Sequence, residues 1–215
     1  MPTHRRAQII VHLVAILPLT WLVAAYFTGN LTVNPIQTAT QRSGDTAVIL
    51  LLLTLACTPL HTIFNLPVLM KLRRTLGLYT FFYAALHGLI YIAWDYTWDF
   101  RLIIDSFKGK PYLIAGLTTF LLLLPLAITS SRWWMRRLGR TWKRLHRLVY
   151  LAAIAAALHL TWAVKGDLRT LSGDIWKPLL AWFVLILLLT ARIQPVVNSL
   201  QSLRHNKSLP ESKIK

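Results

Sequence analysis

Seven histidines carry most of the chemistry available to this sequence. His12, His87 and His159 fall inside long apolar runs, His61 and His146 lie at the edges of such runs, and His4 and His205 sit in the tails. An ionisable side chain within a bilayer is costly enough to be a functional candidate by default. His87 and His159 stand out, because each lies about twelve residues into its run, roughly 18 Å along a helix axis. If both runs cross in the same direction, the two imidazoles reach equal depth in the outer half. They can then take one haem iron from opposite faces. Bis-histidine ligation leaves the iron no open position for substrate, so it suits electron transfer better than oxygen chemistry. Hydrogen bonding between helices is the other use of the same side chains.

The flanking residues are small. Ala84, Ala85 and Gly88 surround His87, and Ala152, Ala153, Ala155, Ala156 and Ala157 precede His159. They would let a flat macrocycle approach the backbone, or simply let helices pack closely. His146 lies roughly 20 Å below His159 on the same helical path. The matching lower position on the His87 segment is Arg74 rather than histidine, so a second bis-histidine haem is not supported. Arg73, Arg74 and His146 are instead suited to an anionic group such as a haem propionate or a flavin phosphate. Ordinary positive charge on the inner side is the plainer reading of the two arginines. His12 is read as a hydrogen-bonding core residue, with a quinone site as the alternative. Cys57 lies in an apolar run and is read as a small core residue.

The elements that position these residues follow from composition. Of 215 residues, 55% are hydrophobic and only 14% charged, against about a quarter charged in a soluble domain. The charge is lopsided, 24 Lys and Arg against 7 Asp and Glu, but it is clustered between apolar runs rather than spread over a soluble basic face. Nucleic acid is therefore not the expected partner; membrane lipid is. Six segments approach the length needed to span: about 8–27, 46–63, 75–94, 111–129, 147–164 and 175–192. Pro18 and Pro125 are expected to kink the first and fourth, and Trp21, Trp94, Trp162 and Trp176 fall near span ends. The first run follows His4, Arg5 and Arg6 but lacks a small-residue cleavage site, so it is read as a retained span.

Orientation follows from the loops. Lys71, Arg73 and Arg74 follow the second span, and Arg132, Arg136, Arg137, Arg140, Lys143, Arg144 and Arg147 follow the fourth. Asp45, Asp95, Asp99, Asp105, Asp167 and Asp174 gather in the other loops. The positive-inside rule then places both termini in the cytoplasm. The expected fold is an all-α integral membrane protein, a six-helix transmembrane bundle over 1–192 with a polar, basic cytoplasmic tail over 193–215. No internal repeat and no Gly-rich phosphate loop is evident. The outer segments 28–45, 95–110 and 165–174 are the candidate docking loops.

The run Arg73-Arg74-Thr75-Leu76-Gly77-Leu78 followed by Ala85-Leu86-His87 resembles the MsrQ (YedZ) family. So do Leu138-Gly139 with Trp142, Leu145-His146 with Val149-Tyr150-Leu151, Leu158-His159 with Trp162, and His12 with Pro18 in the first span. That family is the haem-binding membrane subunit of the bacterial periplasmic protein-methionine-sulfoxide reductase system, within the ferric-reductase-like transmembrane group. The resemblance implies a protein of the inner membrane that carries electrons through b-type haem. The donor would be the quinone pool or a cytoplasmic flavin reductase. The acceptor would be a periplasmic, molybdopterin-containing catalytic subunit that repairs oxidised envelope proteins. It also implies FMN, whose contacts no motif places. Carried over by position, His87 and His159 match the axial ligands, and His146 a third histidine that influences haem.

The chain is thus expected to be a non-catalytic electron-transfer subunit. A stand-alone reductase of the ferric-reductase type would need an external electron input, since no nucleotide-binding domain is evident. A proton channel using histidine relays would carry no pigment, and an inert scaffold leaves the intramembrane histidines without a use. Arg74→Ala is expected to leave the outer haem in place while weakening flavin binding or electron input. Unchanged flavin content and reduction kinetics in the purified variant would remove that role.

Overall fold

Prolines open three of the long helices. The computed structural model describes residues 3–164, 166–167, 172–173 and 175–193. Pro35, Pro67 and Pro111 occupy first-turn positions of α2 (Pro35–Phe64), α3 (Pro67–Ile90) and α5 (Pro111–Ile128), where a missing N–H costs nothing. These helices alternate with α1 (Thr3–Phe27), the short α4 (Phe100–Phe107), and α6 (Arg132–Leu138) with α7 (Arg140–Leu145). α8 (Leu148–Ala163) and α9 (Trp176–Thr190) complete the bundle, and two-residue strands at Gly166–Asp167 and Ser172–Gly173 pair antiparallel between them. Asn34 caps α2 by accepting from the Gln37 amide at 3.1 Å. Asn65 closes α2 in the left-handed region, its amide donating to the His61 carbonyl. Gly139 separates α6 from α7 at φ 50°, a region that favours glycine.

Five helical stretches are long and apolar enough to cross a membrane: 5–27, 35–64, 67–95, 111–128 and 140–163. The sixth expected span is the 15-residue α9, about 22 Å long at 1.5 Å per residue against a hydrocarbon core of about 30 Å. α2 departs from expectation the other way. It begins at Pro35 rather than near 46, so most of the segment expected as an outer loop over 28–45 is helix. Its polar composition hides this, but Ser43 is buried and Asn34 and Pro35 start the helix at that point. The loop expected over 95–110 likewise contains α4. The expected tail lies outside the described residues apart from Ile193.

The core forms where α2, α5, α8 and α9 meet. Leu51, Leu55, Leu123, Leu126, Ala152, Ala156, Leu185 and Leu188 pack together there, with Leu55 and Ala152 fully buried. A second cluster holds Ala47, Leu50 and Tyr83. The Tyr83 hydroxyl donates to the Ala15 carbonyl at 2.6 Å and so ties α3 to α1. Large apolar side chains such as Leu13, Ile49, Leu121 and Phe183 are exposed, as they are where lipid is the solvent. At its C-terminal end, α3 widens into a π turn, Tyr91–Asp95. The link onward to α4 places Thr97 and Trp98 at φ 45° and 63°, uncommon for residues other than glycine.

Helices in lipid gain little from apolar burial, so packing and interhelical hydrogen bonds carry their association. Tyr83→Phe is therefore expected to destabilise the bundle by about 0.5–1.5 kcal/mol. Thermal unfolding in detergent should show a lowered midpoint with the fold retained.

Candidate functional site

α3 and α8 bring His87 and His159 together. Their ring centroids lie 5.9 Å apart and the rings meet edge to face at 82°. Each ring is anchored by the helix that pairs with its own. His87 Nδ1 donates to the Thr40 carbonyl on α2 at 2.8 Å, and His159 Nδ1 donates to the Tyr112 carbonyl on α5 at 2.7 Å. A carbonyl only accepts, so both Nδ1 atoms carry the proton and each Nε2 keeps its lone pair. That is the orientation a ligating histidine needs from its surroundings.

Two glycines make the anchoring possible. A Cβ at Gly44 would stand 3.0 Å from His87 Nδ1, and one at Gly116 would stand 2.8 Å from His159 Nδ1. Each glycine follows the residue whose carbonyl accepts by one helical turn. In both sets the histidine follows its carbonyl partner by 47 residues. The hairpins α2–α3 and α5–α8 therefore present the same local construction twice. The sequence holds one trace of it, the tetrapeptide Ala-Ala-Leu-His at 84–87 and again at 156–159. This pairing qualifies the expectation of no internal repeat: the likeness is in the local construction around the two histidines.

The donor chemistry fits a haem: two imidazoles, tautomers fixed, Nε2 available. The site needs no charged partner, and among the described residues no group of three or more His, Cys, Asp or Glu is placed to hold a bare metal ion.

The other sequence-predicted residues lie elsewhere. His146 sits at the join of α7 and α8 rather than within one continuous helix, with its ring 4.0 Å from that of Trp142. Its Nδ1 bonds the Trp142 carbonyl at 3.2 Å, while Trp142 Nε1 donates to the Thr129 carbonyl. His146 lines a cavity of about 540 Å³ together with Arg73, Arg74, Lys143 and Arg147. Among the described residues no carboxylate lines that cavity, so its charged lining is cationic, alongside Thr54, Thr80 and Ser130. Arg73 also donates to Thr58 Oγ1 at 3.3 Å. His12 is exposed on α1 and its Nδ1 is 2.9 Å from the Tyr79 hydroxyl, an α1–α3 tie. His61 Nδ1 is buried without a hydrogen-bond partner among the described residues.

Residues 43–157, more than half of the chain, match the family described as ferric reductase like transmembrane component. A relative from Xanthomonas campestris pv. campestris (strain B100), "Protein-methionine-sulfoxide reductase heme-binding subunit MsrQ", is 43% identical over 166 residues, 76% of each chain. One of the same name from Rhodospirillum rubrum is 39% identical over 199 residues, 92% of each chain. A third, from Xanthomonas axonopodis pv. citri (strain 306), is 40% identical over 83% of this chain and 85% of its own. With identity of this level across nearly its whole length, the chain belongs to the MsrQ family, within the ferric-reductase-like transmembrane group.

Proposed function

We propose that this chain is the membrane electron-transfer subunit of a protein-methionine-sulfoxide reductase system, with His87 and His159 as the axial ligands of a b-type haem. The observation that carries this reading is the converging imidazole pair, each Nδ1 held by a backbone carbonyl. The names of the relatives agree with it. The haem supplies one-electron exchange between ferric and ferrous iron. The chain supplies the rest: α2 and α5 orient the two rings, and the apolar bundle keeps bulk water from them. Reducing a sulfoxide to a thioether takes two electrons and two protons and releases water, so the relay delivers twice for each methionine repaired.

In this reading α9 is the sixth span, and both termini face the cytoplasm of a bacterium whose inner membrane holds the protein. The histidine pair then lies in the outer half, near a periplasmic, molybdopterin-containing catalytic partner. The electron donor is the quinone pool or a cytoplasmic flavin reductase. The cationic cavity at His146, Arg73 and Arg74 is the place for an anionic cofactor group, a haem propionate or the phosphate of FMN.

The test is optical. His87→Ala and His159→Ala, purified in detergent, are each expected to lose the low-spin b-type signal of the reduced-minus-oxidised spectrum while still inserting. Retention of the full wild-type spectrum by both variants would overturn the assignment.

A further inference from the structure

We infer that Gly44 and Gly116 are positioning residues for the haem-ligating imidazoles, setting the strength of the Nδ1 hydrogen bonds and through them the potential of the iron. The inference rests on the ligand assignment above and adds to it residues that touch no iron. The reason is geometric. Each imidazole lies against one turn of the neighbouring helix, bonded to the carbonyl at its start and in contact with the glycine at its end. A side chain at the glycine would occupy the space of Nδ1 and Cε1, at 3.0 and 3.1 Å for His87 and at 2.8 and 2.9 Å for His159. Below 3.0 Å, as at Gly116, something must shift; at 3.0–3.1 Å, as at Gly44, the neighbour must give by a few tenths of an ångström, and at both positions the atoms that give belong to the imidazole ring.

Other glycines are different. A Cβ at Gly88 or at Gly109 would meet nothing within 4 Å. At Gly77 the nearest atom, Thr54 Cγ2, is at an ordinary 3.7 Å, so among the described glycines the close approach is particular to Gly44 and Gly116, once in each hairpin. Pushing the ring off the helix lengthens the Nδ1–carbonyl bond. An imidazole whose N–H donates to a carbonyl is the more basic ligand, which favours the more highly charged metal. Weakening that bond should therefore favour ferrous iron and raise the midpoint potential. Because both rings are clamped in the same way, each glycine should act through its own histidine and both should act in the same direction.

The experiment uses the full-length, haem-loaded protein in detergent, comparing Gly44→Ala, Gly116→Ala and a control, Gly109→Ala. Redox titration followed optically gives the midpoint, and electron paramagnetic resonance of the ferric state reports how the two imidazole planes lie. The expected result is a more positive midpoint and altered g-values for Gly44→Ala and Gly116→Ala, with Gly109→Ala matching the parent. Should the tighter site at Gly116 prevent haem retention in a folded protein while Gly109→Ala keeps it, that also supports the clamp, and Gly44→Ala supplies the potential. If Gly116→Ala does not fold, Gly44→Ala decides alone. Unchanged g-values and an unchanged or lowered midpoint in folded, haem-loaded Gly44→Ala would overturn the inference. That failure is separable from failure of ligation, since His87→Ala and His159→Ala would still lose haem.

Discussion

An imidazole N–H in hydrocarbon has to find an acceptor, and in this bundle that requirement governs the site. Water is not there to supply one, and an unpaired polar group in such surroundings costs several kcal/mol, on the order of 2–7. Backbone carbonyls in a helix are already engaged, but each has a second lone pair. Thr40 and Tyr112 offer theirs to His87 and His159. To reach them, each ring comes into close contact with a neighbouring helix at a glycine, Gly44 for His87 and Gly116 for His159. The close approach at the glycines and the fixed tautomers go together with satisfying one N–H per ring.

Much of the membrane architecture was legible because lipid imposes a coarse rule: long apolar runs, charges outside them, and histidine as the exception. The runs over 111–129 and 147–164 nearly coincide with α5 and α8. The start of α2 was not legible, since Gln37, Thr38, Gln41 and Arg42 read as loop while Pro35 and a buried Ser43 make helix. Type and depth single out His87 and His159, whose rings the structure brings together, whereas nothing in the sequence singles out Thr40, Tyr112, Gly44 or Gly116. A carbonyl belongs to every residue, and a glycine's closeness to a ring belongs to tertiary structure. The repeated Ala-Ala-Leu-His was the one signal that connected the halves.

The two hairpins match at the end that holds His87 and His159 and differ at the end that holds Arg74 and His146. Arg74 and His146 occupy corresponding places, since each precedes its hairpin's histidine by the same interval, yet they are chemically unlike. Both line the cationic cavity. One hairpin thus contributes an imidazole and the other a permanent charge of a kind that recognises anions. The His87–His159 end presents the same side chain from both hairpins, and the Arg74–His146 end does not.

The π turn at Tyr91–Asp95 bears on how such a protein can change over evolutionary time. A π turn amounts to one residue inserted into an α-helix, and each residue of a helix advances its faces by about 100°. Here the insertion falls one turn beyond His87, so everything that follows it, including Tyr96, Trp98 and α4, is rotated relative to His87 while His87 itself is untouched. Gaining or losing that residue would re-aim the surface at this end of the bundle as a unit. A lineage could in this way fit the same buried centre to a differently shaped partner without altering the part of the helix that holds the ring.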